Sequence, residues 1–69
     1  MLRNLKAEML RYGISANDIT ATIGKSSRTV TDKISGKYPF SMVEALKIRD
    51  HLFPGLALEY LFADTDKAG

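Results

Sequence analysis

Glycines at positions 13, 24, 36 and 55 divide this 69-residue chain into segments of the length of short helices. Glycine readily adopts the left-handed backbone conformation in which many helices end. Few segments alternate between apolar and polar residues, and the β-branched residues do not gather into strand-like runs. The spacing therefore predicts an all-α chain of five short helices.

Serines that can cap helices precede three of these segments. Ser15 with Asp18, and Ser41 with Glu44, have the spacing of a capping box, in which two side chains bond to each other's backbone N–H groups. The five predicted helices cover residues 2–12, the segment from the Ser15 cap to Gly24, the segment from the Ser26 cap to Gly36, the segment from the Ser41 cap to Pro54, and residues 56–62.

The predicted fourth helix carries a broad apolar stripe, formed by Met42, Ala45, Leu46, Ile48, Leu52 and Phe53. A stripe of this width predicts that the helix is mostly buried. The residues that follow the fifth helix are polar and predict a frayed end. We therefore expect one domain over residues 1–62 and a polar tail over residues 63–69.

The composition argues against several classes of protein. The chain has no cysteine and one histidine, which leaves no disulfide framework and no zinc site built within one chain. It has no run of about 18 apolar residues that would span a membrane. It also lacks a nucleophile–base pair, a metal-ligand cluster and a phosphate-binding glycine loop. We expect a cytoplasmic, non-membrane, non-enzymatic domain with no cofactor, no metal and no small-molecule ligand.

The charges are distributed unevenly along the chain. Residues 1–38 contain seven Lys or Arg and three Asp or Glu, a balance of +4, whereas residues 39–69 contain three and five, a balance of −2. The two balances add up to the formal net charge of +2. A basic front half and an acidic rear half indicate one surface that meets a polyanion, with chance clustering on a solvated surface as the alternative.

The segment from Ser15 to Gly36 is predicted to form two short helices joined by a tight turn at Gly24. A chain needs this layout to place one small helix in the major groove of DNA. With about 100° per residue and the core direction midway between Val30 and Ile34, Arg28 and Asp32 point almost directly away from the core, and Thr31 and Ser35 flank them. Ser27 lies toward the core side by angle, but it can reach out from the first turn of the helix. The predicted base-reading residues are Ser27, Arg28, Thr31, Asp32 and Ser35.

These side chains carry groups that can contact bases. Arg28 can donate two parallel hydrogen bonds to guanine, and the hydroxyls of Ser27 and Thr31 can bond to base edges. Asp32 can accept from cytosine or hold Arg28 across one helical turn, with an ordinary exposed ion pair as the alternative. Phosphate contacts are predicted from the helix starts, the turn and the loop around this face, at Asn17, Lys25, Ser26, Lys33, Lys37 and Tyr38.

The chain also resembles a known family. The resemblance is carried by Ile19, Ile23-Gly24, Ser26-Ser27, Val30 and Ser35-Gly36. These residues are similar to the helix-turn-helix of the lambda repressor and Cro superfamily, the xenobiotic-response-element type of regulator. The loop at residues 37–40 and the closing FPGLALEYLF resemble small regulators carried by prophages of Gram-positive bacteria. The resemblance covers most of the chain and implies a five-helix lambda-repressor-like domain with the helix-turn-helix in helices 2 and 3.

The resemblance also implies roles for particular residues. The start of helix 3 would read bases, and Lys37 and Tyr38 in the following loop would hold the DNA backbone. Two positions depart from the family pattern, with Thr20 where alanine is usual and Lys33 where many members have an apolar residue.

Helix 5 would form the contact of a homodimer, which implies a near-palindromic operator whose half-sites lie about 34 Å apart. The alternative is that helix 5 only closes the core of the monomer. The predicted dimer contacts are Leu58, Tyr60, Leu61 and Phe62.

We therefore expect a sequence-specific double-stranded DNA-binding regulator of transcription that acts as a Cro-like repressor by occluding promoter DNA. The alternative is a protein-interaction module on the same fold, such as an antitoxin or an adaptor, that uses helix 5 and the acidic rear half. Salt dependence separates the two hypotheses, because a protein that neutralises several phosphates loses affinity steeply as the salt concentration rises.

Overall fold

A computed structural model of the chain describes residues 1–63, which form five helices and no strand. The helices are α1 (Arg3–Tyr12), α2 (Ala16–Ile23), α3 (Ser27–Ser35), α4 (Met42–Leu52) and α5 (Leu58–Leu61). The all-α prediction is therefore confirmed for the described residues. The predicted polar tail lies outside them, apart from Ala63.

The predicted serine caps are all present. The Ser15 and Ser41 hydroxyls accept hydrogen bonds from the Asp18 and Glu44 N–H groups, and both capping boxes are complete. Ser26 caps α3 in the same way, with its hydroxyl accepting from the N–H of Thr29 at 3.2 Å. These bonds satisfy N–H groups that have no carbonyl partner at the start of a helix. The starts of α2, α3 and α4 are therefore set by residues within three positions of each cap.

One hydrophobic core joins the five helices. Each helix contributes at least one fully or almost fully buried side chain, and the loop residues before α1 and after α4 complete the cluster: Leu2, Leu5, Ile19, Val30, Ile34, Ile48, Phe53 and Leu61. Helix α2 packs against α3 and α4, while α5 packs against α1 and α4. None of the helices in the described part of the chain has the length and apolar character of a membrane span.

The end of α3 lies against the start of the chain. Gly36 ends the helix with φ at 96°, a backbone conformation that L side chains rarely adopt. The Leu2 N–H group donates to the Ile34 carbonyl at 2.9 Å. A Cβ atom on Gly36 would lie 2.8 Å from the backbone nitrogen of Met1. Glycine is therefore needed at position 36 for both its φ angle and its lack of a side chain.

The apolar stripe of α4 is less buried than predicted. Ala45, Ile48 and Phe53 lie in the interior, but Met42 is 64% exposed and Leu46 is 37% exposed. Only the side of α4 that carries Ala45 and Ile48 faces the core, and at about 100° per residue Met42 and Leu46 are rotated away from it. The last helix is also shorter than predicted, because residues 56 and 57 precede α5 and Phe62 follows it.

We expect Gly36→Ala to lower the free energy of unfolding more than Gly24→Ala does. Both substitutions place alanine in the left-handed region, which costs about 1–2 kcal/mol, but only at Gly36 does the new methyl group meet other atoms within 4 Å. Urea denaturation of both variants measures the difference. Equal losses for the two variants would contradict the close approach between Gly36 and Met1.

Candidate nucleic-acid interface

The two sides of α3 have different environments. Val30 and Ile34 are 0% and 7% exposed and lie in the core. On the remaining surface of the helix, four of the five predicted base-reading residues are exposed, and Asp32 is half-buried. The exposed four are Ser27, Arg28, Thr31 and Ser35. The structure therefore brings most of the predicted base-reading residues together on one solvent-facing polar face, which we call the α3 face.

Both ends of α3 are held by hydrogen bonds. At the start, the Ser26 hydroxyl accepts from the Thr29 N–H and donates to the Thr29 hydroxyl at 2.9 Å. At the end, the Asp32 carbonyl accepts from the Lys37 N–H at 2.9 Å and from the Ser35 hydroxyl at 2.9 Å. The α3 face is therefore presented by a helix whose first and last turns are both fixed.

The first turn of α3 is better suited to an anion than the first turn of α2. Helix N-termini present N–H groups and partial positive charge. No acidic residue lies in the first turn of α3, whereas α2 carries Asp18 there. One carboxylate oxygen of Asp18 accepts from the Ser15 N–H at 2.9 Å. This carboxylate places negative charge at the start of α2, whereas the first turn of α3 carries no acidic side chain.

Several predicted phosphate contacts are exposed close to α3 along the chain. Asn17 lies in the first turn of α2, and Lys25 lies in the turn before α3; both are exposed. Lys37 and Tyr38 follow α3 and are exposed, with the Lys37 ammonium 5.6 Å from the centre of the Tyr38 ring. This cation–π contact orders two side chains of different chemistry next to the end of α3. Ser26 is exposed too, but its hydroxyl is occupied as the α3 cap.

Lys33 is the exception among the predicted phosphate contacts. Its ammonium nitrogen lies 2.6 Å from Oε1 of Glu44, and the side chains of the two residues are only 14% and 10% exposed. The ammonium also lies 5.8 Å from the centre of the Phe40 ring. The charge of Lys33 is therefore already paired inside the protein. The expectation that Lys33 faces the phosphate backbone of DNA is corrected accordingly.

Glu44 was predicted only as part of a capping box, and its contact with Lys33 was missed. One oxygen, Oε1, accepts from the Ser41 N–H at 3.0 Å and from Lys33. The hydrogen bond from Lys33 is the largest of the effects that hold the pKa of Glu44 below its ordinary value of 4.5. Desolvation by burial acts in the opposite direction but is smaller. The carboxylate is therefore stabilised in its charged form.

The lowered pKa of Glu44 predicts a specific acid sensitivity. The ionised carboxylate stabilises the fold fully above its ordinary pKa of 4.5, and this stabilisation is lost as the pH falls through the lower pKa of the folded state. We expect Glu44→Gln to show a smaller loss of unfolding free energy than the unsubstituted protein over this acid range. Urea denaturation at a series of pH values measures it, with Glu59→Gln, at an exposed carboxylate of α5, as the control. An unchanged pH dependence in Glu44→Gln would contradict the role of Lys33.

The structure adds a residue that the sequence did not single out. A small groove of about 230 Å³ beside α3 is lined by Lys6 of α1 together with Thr31, Ser35 and Ile34 of α3. Lys6 is exposed. A cation next to the α3 face is suited to a phosphate contact, although no short-range sequence pattern links Lys6 to Thr31. The two residues come together in the fold because residues 1 and 2, which precede α1, lie against the end of α3.

Asp32 does not hold Arg28 in the structure. No ion pair joins these two residues within the described chain. The side chain of Arg28 is therefore available to contact a ligand. The hydroxyl of Thr20 donates to the Ala16 carbonyl within α2 at 3.0 Å.

The predicted dimer contacts on α5 differ in their exposure. Leu61 is fully buried in the core, which corrects its assignment as a surface contact. Leu58 and Phe62 are half-buried, and Tyr60 is exposed. The Tyr60 hydroxyl donates to Oε2 of the buried Glu8 at 2.8 Å, and this hydrogen bond is the main reason that the pKa of Tyr60 is raised. Helix α5 therefore closes the core through Leu61, and the other three predicted contacts remain partly or fully exposed.

An open apolar groove lies between α5 and the loop after α3. Its volume is about 530 Å³, and its lining includes Leu2, Tyr38, Phe40, Met42, Leu58 and Phe62. Across it, the rings of Phe40 and Phe62 meet edge to face at 5.4 Å. Within the described residues, no group of three or more His, Asp or Glu side chains is placed to hold a metal ion.

No match to the chain is found among protein-family models, curated protein sequences or solved structures.

Proposed function

We propose that the chain is a sequence-specific DNA-binding regulator of the lambda repressor and Cro type, with α2 and α3 as its helix-turn-helix. The exposure of Ser27, Arg28, Thr31 and Ser35, on a helix whose Val30 and Ile34 are buried, is the observation that carries the proposal. A helix with one buried row and an exposed polar face fits the major groove of DNA. The tight turn at Gly24 and the basic residues around α3 support the same function.

In this proposal, the residues of the α3 face read bases and the residues around it hold phosphates. Arg28 donates to guanine O6 and N7, while the hydroxyls of Thr31 and Ser35 bond to base edges. Lys25 and Lys37 contact phosphates on either side, and the unpaired N–H groups at the start of α3 hold a third phosphate. Occupation of a promoter by the domain then blocks transcription in the manner of Cro.

Selection from a random duplex library at physiological salt, followed by sequencing of the bound pool, tests the function directly. We expect enrichment of one motif. Arg28→Ala should cost about 1–3 kcal/mol on the selected site and blur the preference at one base position. Lys37→Ala should weaken binding to all sequences alike. It should also reduce the magnitude of the slope of log affinity against log salt by about 1, the value for one phosphate contact.

Lys47→Ala, at an exposed lysine of α4, is the matched control and should leave both properties unchanged. An unchanged base preference in Arg28→Ala would show that Arg28 does not contact a base. A failure of the folded protein to enrich any sequence would contradict the proposed function.

We also propose that two copies bind a near-palindromic operator as a homodimer that uses Leu58, Tyr60 and Phe62. These residues leave apolar surface on α5 next to the groove. Leu58→Asp should yield a folded monomer with poor operator affinity, because a buried carboxylate at the contact costs more than the dimer contact supplies. Sedimentation measures the mass and circular dichroism measures the fold, with Leu10→Asp, at the 84% exposed Leu10, as the control. An asymmetric selected motif or a monomeric unsubstituted protein would contradict the dimer.

The second candidate function is that of a protein-interaction module such as an antitoxin or adaptor. Met42 and Val43 at the start of α4 are 64% and 61% exposed. Exposed neighbouring apolar side chains favour contacts with another protein. The same selection experiment separates the candidates, because this function predicts no enriched duplex sequence and no steep salt dependence of binding.

A further inference from the structure

Lys33 lies on neither the buried row nor the exposed face of α3. Around the helix, at about 100° per residue, Lys33 is about 80° from the core direction set by Val30 and Ile34, and Thr31 is about 80° away on the other side. The Lys33 side faces the start of α4, where the ammonium meets Glu44. The Thr31 side borders the small groove with α1.

The buried row alone leaves one motion of α3 weakly restrained. Val30 and Ile34 are one turn apart, so their contacts lie along a line nearly parallel to the helix axis. Contacts along one line hold the position of a helix but resist its rotation about that line poorly. A strong contact away from the line limits the rotation. The contact between Lys33 and Glu44 is of this kind, since it is short and largely removed from solvent.

The partner of Lys33 is itself fixed. Oε1 of Glu44 accepts from the Ser41 N–H, and the Ser41 hydroxyl accepts from the Glu44 N–H at 3.1 Å. Phe40 lies next to the ammonium and packs on Phe62. The contact therefore links α3 to the capped first turn of α4 and to the ring pair beside α5.

We propose that Lys33 is a positioning residue that sets the rotation of α3 and thereby determines which side chains of the α3 face reach the bases. This inference rests on the proposed DNA-binding function. A rotation of about 30° would move a side-chain tip that lies about 5–6 Å from the axis by roughly 3 Å. This displacement is larger than a hydrogen bond to a base tolerates. Lys33 acts through Glu44 and does not touch DNA.

Selection from the random duplex library, repeated with four variants, tests the role of Lys33. The variants are Lys33→Met, Glu44→Gln, the double variant that combines these two, and Lys33→Arg. Methionine keeps most of the length of the side chain and removes its charge. We expect Lys33→Met to lower discrimination by about five-fold or more at one or more base positions, with the salt slope unchanged. Glu44→Gln and the double variant should alter the same positions, because all three variants remove the ion pair between Lys33 and Glu44. Lys33→Arg should restore the original preference.

Residual dipolar couplings of the unbound protein give a second readout that needs no DNA. They should report a changed orientation of α3 relative to α4 in Lys33→Met and the original orientation in Lys33→Arg. If the unsubstituted protein enriches no sequence, the proposed function fails, and these couplings still decide whether Lys33 sets the rotation. If Lys33→Met does not fold, Glu44→Gln tests the same contact, because its amide oxygen can still accept from the Ser41 N–H.

Two outcomes would overturn the positioning role. If Lys33→Met lowers only the stability and leaves the base preference and the couplings unchanged, the contact is a purely structural ion pair. A uniform loss of affinity with a flatter salt slope, as expected for Lys37→Ala, would make Lys33 a phosphate contact.

Discussion

The structure depends on the burial of side chains from five short helices in one common core. The helices contain between 4 and 11 residues, and isolated helices of this length are marginal in water even with favourable sequences. None of them is expected to persist without the others, so the core sets both their existence and their orientation. For α3 the consequence is specific. Val30 and Ile34 must face inwards, and the same helical period then places Arg28 in solvent. The exposed polar face is a geometric result of how the core is packed.

The core alone does not determine how α3 is held, because polar contacts at its ends and side complete the arrangement. Leu2 donates its N–H group to the Ile34 carbonyl, and Gly36 lets the start of the chain approach. On one side, this packing places Lys6 of α1 beside the α3 face. On the other side, Lys33 meets Glu44. The face offered to a ligand is therefore bordered by one exposed cation and by one cation that is already paired.

Local chemistry explains why much of the fold could be predicted from the sequence. The caps at Ser15, Ser26 and Ser41 involve partners three residues away, so the pattern of residues was sufficient to place three helix starts. The contacts that were missed join distant positions. Lys33 and Glu44 are 11 residues apart, and Tyr60 and Glu8 are 52 apart. Such pairs depend on helix packing, which periodicity does not specify. The same limit applies to α4, where the apolar pattern was wider than the side that the core covers, and Met42 is exposed. For the candidate site, the period agrees with the exposure of Arg28, Thr31 and Ser35 but not with that of Asp32, which is half-buried. Lys33 was assigned by its charge and not by its neighbours.

If α3 reads DNA as proposed, the pairing of Lys33 separates two properties that such a helix must combine. An exposed lysine adds affinity through phosphate contacts, and this affinity falls as salt displaces the protein from DNA. The Lys33–Glu44 pair is nearly neutral as a unit and adds little to the attraction for a polyanion. However, salt screens interactions between largely buried charges much less than interactions between exposed ones. We therefore expect the contact to hold its geometry at salt concentrations at which the proposed phosphate contacts of Lys25 and Lys37 would weaken. The whole chain has 10 Lys and Arg residues. In the proposed complex, the use of one of these cations inside the fold would make the orientation of α3 independent of the forces that bring it to DNA. Affinity for DNA should then vary with salt while base preference does not.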